Sequence, residues 1–129
     1  MMSEKFTVEI ISPDELVFKT DARQVTIPCF EGEVGILKDH IPLITFLRPG
    51  FIKILNEKEE KFLVEDGTIE FSNNNLLILT STAKRLSEID KKSINDLVSE
   101  TEKKINDNKL SDKEKYLLTF KIDTLKSIN

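Results

Sequence analysis

The chain reads as an antiparallel β domain over residues 1–83, a sandwich or a barrel, followed by an antiparallel two-helix hairpin over residues 84–129. Three observations predict this. Up to Thr80, short runs of Val, Ile, Leu, Phe and Thr are broken by Gly, Pro or Asn. The runs follow one another too closely to leave room for crossover helices. Beyond Thr82 the apolar period changes from that of a strand to that of a helix.

In the first run Phe6, Val8 and Ile10 alternate with Thr7, Glu9 and Ile11, a strand with two distinct faces. Further runs lie at 16–19, 23–27, 34–37, 43–47, 51–56, 60–65, 68–72 and 76–80. The breaks are turn sequences: Ser12-Pro13-Asp14-Glu15, Asp66-Gly67 and Ser72-Asn73-Asn74-Asn75. Here Gly and Asn tolerate positive φ and Pro fixes its own. Pro28, Pro42 and Pro49 fall at the ends of runs, where a missing N–H costs least.

Leu86, Ile94, Leu97, Val98, Thr101 and Ile105 project into an arc of about 120°, the apolar side of a first helix. Ser87, with Asp90 three residues on, predicts its N-cap. Ser111-Asp112-Lys113-Glu114 has the spacing of a capping box and starts a second helix. In that helix Leu117, Leu118, Ile122, Leu125 and Ile128 fill about 140°, with Tyr116 and Phe120 on the flank. The stretch 106–110 between them has room only for an antiparallel turn. Two short amphipathic helices are marginal by themselves, so the hairpin must lean on the β domain or on another protein.

A chain of 129 residues, 39% hydrophobic, supports one modest core and a small appendage. Residues 1–83 carry eight basic and fourteen acidic side chains, a net of −6, whereas residues 84–129 carry eleven and nine, a net of +2. This balance disfavours nucleic acid, whose affinity comes largely from cations neutralising phosphates. With Cys29 as the lone cysteine and His40 as the lone histidine, neither an internal disulfide nor a His/Cys metal cluster is expected. No run approaches the length of a membrane span, and Glu4 and Lys5 stand where a signal peptide would be apolar. A protein used where it is made, in a bacterial cytoplasm, is the expectation. The four glycines form neither a phosphate-binding loop nor a dinucleotide fingerprint, and His40 beside Asp39 reads as a solvated pair. An enzyme is therefore disfavoured, and no cofactor or metal is expected. A free-standing β-sandwich binding module with a helical tail is the alternative, but it would present aromatic platforms, and the chain has no Trp and a single Tyr.

Phe30-Glu31-Gly32-Glu33-Val34-Gly35-Ile36-Leu37-Lys38-Asp39-His40-Ile41-Pro42-Leu43 is the segment out of the ordinary, with two glycines, the histidine and alternating acids in one turn-strand-turn. It resembles the Glu-Gly-Glu-hydrophobic-Gly-hydrophobic-Leu-x-x-His-x-Pro-Leu pattern of the epsilon subunit of F-type ATP synthases. The opening Val8 to Pro13, the Leu47-Arg48-Pro49-Gly50 turn, the exit Leu76 to Ala83 and the helical hairpin resemble that family in the same order. The resemblance implies a non-catalytic central-stalk subunit of a proton- or sodium-translocating rotary motor, peripheral on the cytoplasmic face of the bacterial inner membrane. It implies ten strands in two five-stranded sheets, holding the gamma subunit and resting on the c-ring. Glu31, Glu33 and His40 are the expected contacts with the c-ring and gamma.

The resemblance further implies that the hairpin is regulatory, folded on the sandwich in one state and extended toward the alpha and beta subunits in another, where it hinders ATP hydrolysis. Lys113, Lys115, Lys121 and Lys126 are the candidate contacts with the beta subunit in the extended state. Some relatives bind ATP through Ile-Asp-x-x-Arg-Ala; here Ile89 and Asp90 match, but Ser93 replaces the Arg, so strong ATP binding is not expected. Lys38-Asp39 also stands where relatives carry a Pro-Gly type of turn.

Overall fold

The computed structural model describes residues 4–128. Ten strands form two five-stranded sheets. They are β1 (Phe6–Ile11), β2 (Leu16–Ala22), β3 (Gln24–Cys29), β4 (Gly32–Leu37), β5 (Leu43–Phe46), β6 (Gly50–Leu55), β7 (Glu59–Val64), β8 (Thr68–Ser72), β9 (Asn75–Leu79) and β10 (Lys84–Arg85). The first sheet runs β2-β1-β9-β8-β5 and the second β10-β7-β6-β3-β4. After a 3-10 turn at Leu86–Glu88 come α1 (Lys91–Ile105) and α2 (Asp112–Lys126).

The alternation read from the first run is the alternation that packs. Val8 and Ile10 are fully buried, and they meet Ile27, Ile36, Ile52, Phe71 and Ile78 in one core between the sheets. Cys29 belongs to this core, and burial, followed by the nearby Glu31 charge, pushes its thiol pKa up.

Three features differ from the sequence reading. β1 and β9 pair in parallel, Thr7 opposite Asn75 through Ile11 opposite Leu79, within otherwise antiparallel sheets. The chain between them passes through the other sheet and back, so no hairpin turn dictates their relative direction. Lys84 and Arg85, beyond the expected boundary at 83, pair with Leu63 and Phe62 of β7 and extend the second sheet. The cap of α1 is Asp90 rather than Ser87, because Ser87 falls within the 3-10 turn and Ile89 is extended. The Asp90 carboxylate accepts the Ser93 N–H at 2.7 Å, which holds its pKa below the usual value.

The second helix starts as expected. Ser111 Oγ accepts from the Glu114 N–H and Glu114 accepts from the Ser111 N–H, a complete capping box. The helices are antiparallel: Lys104 and Asp107 meet Glu114 and Leu118, while Leu97 meets Lys121 and Leu125.

Candidate functional site

The loops of the sandwich gather at two ends. One end holds the turns at 12–15, 30–31, 47–49 and 66–67; the other holds those at 38–42, 56–58 and 73–74. β4 runs from one end to the other, and its six residues rise about 3.3 Å each. Glu31 and Glu33 therefore stand at the first end and His40 at the opposite one, so the two acids and the histidine do not form one cluster. Glu31 accepts a hydrogen bond from Thr45 Oγ1 at 3.3 Å, and Glu33 is exposed on the β4 edge.

His40 is no partner of Asp39. Its Nδ1 lies 2.6 Å from the Ile41 carbonyl, which can only accept, so Nδ1 carries the proton, and its ring meets Phe71 edge-on at 5.8 Å. Asp39 instead exchanges two bonds with Asn74: its N–H donates to Oδ1 at 2.7 Å and its carboxylate accepts from Nδ2 at 2.9 Å. Asp39 has φ 66, the left-handed conformation that suits a glycine, and the bonds to Asn74 hold it there. The Lys38-Asp39 departure thus keeps the turn.

On the outer face of the first sheet, strand register aligns Phe46, Thr68, Leu79, Ile11 and Leu16 in a row across all five strands. A register shift after Ile10 brings Leu16 opposite Ile11. Phe46 is 58% exposed, Leu79 44% and Leu16 53%, and Ile44 on the same edge strand is 79% exposed. Phe46, Leu79 and Ile11 line an open groove of about 790 Å³. A largely apolar row of this kind, interrupted only by Thr68, marks an interaction surface rather than a core. The sequence signal was present, since Ile44, Phe46 and Leu79 occupy the outward positions of apolar runs, but only register shows that they adjoin.

The hairpin covers the part of the second sheet's outer face around β6 and β7, while Leu37 and Leu55 on the same face stay exposed. Leu63 points away from the sandwich core and is 7% exposed, closed over by Leu97 and Leu125. Ile94, Ile122 and Leu125, predicted to be on the apolar stripes, are buried. Thr101 is buried too, its hydroxyl donating to the Leu97 carbonyl at 2.7 Å.

Around this seam stand charged contacts that the sequence did not single out. Lys121 forms an ion pair with Glu65, and the Arg48 guanidinium lies 4.0 Å from the centre of the Phe120 ring. Of the remaining candidate lysines, Lys126 pairs with Glu102 at 3.1 Å, Lys113 lies 5.7 Å from the Phe30 ring centre, and Lys115 is exposed. The turn that carries Arg48 is anchored at its backbone: the Arg48 main-chain N–H donates to the Pro28 carbonyl at 2.9 Å, and at Gly50 a Cβ would sit 2.7 Å from Pro28 Cβ.

Residues 5–86 match the family described as ATP synthase, Delta/Epsilon chain, beta-sandwich domain. The ATP synthase epsilon chain of Pelagibacter ubique is 46% identical over 130 residues, covering 99% of this chain and 100% of the relative. That of Dichelobacter nodosus is 38% identical, covering 81% of this chain and 74% of its own. Among solved structures, a chain of the Euglena gracilis mitochondrial ATP synthase, in an assembly of OSCP, F1 and c-ring, superposes with a TM-score of 0.79 at 20% identity. It covers 98% of this chain and 82% of that one, and at this identity it speaks for the fold. The matched sandwich, and a relative aligned along its whole length, show that this chain belongs to the family of ATP synthase epsilon chains.

Proposed function

We propose that this chain, as the epsilon subunit in the central stalk of an ATP synthase, joins rotor to catalytic head by binding and has no catalytic site of its own. The observation that carries this reading is the division of the two sheet faces. The hairpin covers Leu63 and the adjoining part of the second sheet's outer face, whereas the row from Phe46 to Leu16 is left open across all five strands of the first. We assign that open row, with Ile41 and Ile44 beside His40, to the gamma subunit, since apolar surface this exposed needs a permanent cover. The loops that carry Glu31 and Glu33, at the same end of the sandwich as the row but on the side of the second sheet, are assigned to the polar loops of the c-ring, where carboxylates can accept charge-assisted hydrogen bonds. In this reading the subunit sits on the cytoplasmic face of the bacterial inner membrane, peripheral through the complex, and no helix among the described residues is long and apolar enough to cross it.

The hairpin is the regulatory part: docked on the sandwich as described, and extended toward the alpha and beta subunits in a second state that hinders hydrolysis. Two packings separated by a few kcal/mol are what a partner can repopulate. Lys121 and Lys126 are engaged by Glu65 and Glu102 in the docked form and reach the beta subunit only after these pairs part. ATP is not a ligand in this reading, because Asp90 is committed to capping α1 and Ser93 offers no guanidinium.

The test is ATPase activity of a catalytic head depleted of this subunit, titrated with the full chain and with a chain ending at Glu88, which keeps all ten strands. Binding by both with slowing by the full chain alone supports both parts of the reading. Binding without slowing by either removes the switch and leaves the stalk role, and binding by neither removes the stalk role.

A further inference from the structure

We infer that the docked hairpin is held by a polar latch at the rim of its seam, Glu65 gripping Lys121 and Arg48 stacked on Phe120, and that ionic screening of the first contact releases it. This rests on the reading of the hairpin as a mobile element. The apolar part of the seam, Leu63 and Pro49 beside Leu97 and Leu125, borders an open crevice of about 50 Å³. Apolar contact is non-directional, so it attracts without selecting one position of the helices.

The rim contacts fix that position. Glu65 is tied to the sandwich exit, its N–H donating to Thr82 Oγ1 at 3.0 Å, so the carboxylate that holds α2 sits beside the point where the chain leaves for the hairpin. Lys121 is 20% exposed and Glu65 43%, which puts the pair where salt reaches it. The Arg48 backbone is anchored to the Pro28 carbonyl, and Phe120 beneath its guanidinium is braced edge-on by Tyr116 at 4.7 Å, a contact between a cation and a ring face that salt screens little. One half of the latch is therefore salt-sensitive and the other is not.

The test is amide hydrogen exchange of the full chain, read at the amides of 122–125, which exchange when the hairpin undocks and its marginal helices unravel. Ionic strength is varied from about 0.01 M to about 1 M, where the screening length falls from about 30 Å to about 3 Å. Protection in the natural chain falls with salt. Glu65→Gln and Lys121→Gln each lower it at low salt by roughly two- to fivefold and flatten the salt response. The exchange Glu65→Lys with Lys121→Glu recovers what Glu65→Lys alone loses, and Arg48→Gln lowers protection at every salt concentration. Lys61→Gln, which removes the distant pair with Glu59, leaves it unchanged.

A salt response in Glu65→Gln and Lys121→Gln equal to that of the natural chain overturns the proposal, as does an exchange variant no better than Glu65→Lys. Amides of Val8 and Ile78 report whether the sandwich itself has loosened; should Glu65 variants disturb it, Lys121→Gln, on the rim of α2, decides alone. Because docking is read without the catalytic head, absence of any effect on ATP hydrolysis would bear on the switch and not on the latch.

Discussion

Arg85 grips Glu60 with two edges of its guanidinium, Nε donating to one carboxylate oxygen at 3.0 Å and Nη2 lying 3.0 Å from the other. The same group lies over the Phe18 ring at 5.0 Å, so one side chain ties β10 to both sheets where the chain leaves the sandwich. The hydrogen bonds from Arg85 hold the Glu60 carboxyl below its usual 4.5. A carboxyl with a depressed folded pKa contributes stability that is complete above the unfolded value and is lost as pH falls through the folded one. Denaturation midpoints measured from neutral into acid pH should therefore fall less steeply through that window in Glu60→Gln, which also starts from a lower midpoint at neutral pH.

Glu60 stands in sequence beside the acids Glu57 and Glu59, with nothing local to announce Arg85, which shows what a linear pattern carries. Alternation and turn chemistry are local, so the runs, the Asn73-Asn74 turn, Gly67 and the Ser111 capping box could be read directly. The partners of Glu60 and Glu65 arrive 25 and 56 positions later, and no periodicity couples such distances. The same limit hid the parallel pairing of β1 with β9, and it merged His40 with Glu31 and Glu33. Adjacent positions in one motif looked like one site until a whole strand came between them. Arg48 was visible within the Leu47-Arg48-Pro49-Gly50 turn, but its stacking on Phe120 depends on how the hairpin docks, which is tertiary.

The clamp between Asp39 and Asn74 gives a second prediction. Asn74 has φ 56, so Asn74→Gly preserves the backbone and removes both side-chain bonds to Asp39. The expected cost is about 1 kcal/mol in chemical denaturation, since each bond is exposed and nets little. No loss at all would mean that the turn holds Asp39 in its left-handed conformation unaided.

The glycines separate into those the fold needs and one it does not. Gly67 has φ +143, and a Cβ there would sit 2.4 Å from the Leu79 carbonyl oxygen, so Gly67→Ala should cost upward of about 1–3 kcal/mol. Gly35, inside the recognisable motif, has only Gln24 Nε2 at 3.9 Å from an added Cβ. Gly35→Ala should leave thermal stability unchanged or raised by about 0.5–1 kcal/mol, because glycine is a poor strand residue. A Gly35→Ala chain that folds normally yet fails to join the catalytic head and rotor would place a partner against the β4 edge.

Leu79 allows the proposed gamma surface to be tested apart from the fold. It lies mid-row between Thr68 and Ile11 on the outer face and is 44% exposed, so Leu79→Glu adds a charge where water already reaches and should change unfolding free energy by no more than about 0.5 kcal/mol. Against a partner the same carboxylate must be desolvated beside Phe46 and Ile11, with Lys113 as the cation at the margin of the groove, an environment in which a central substitution commonly costs about 2 kcal/mol or more. Affinity for the isolated gamma subunit, measured by titration calorimetry, should then weaken by at least about tenfold, while Glu33→Gln, at the edge of the other sheet, leaves it unaltered. Unimpaired binding by Leu79→Glu together with loss in Glu33→Gln would move gamma to the β4 edge of the second sheet, beside the part of that sheet that the hairpin leaves exposed.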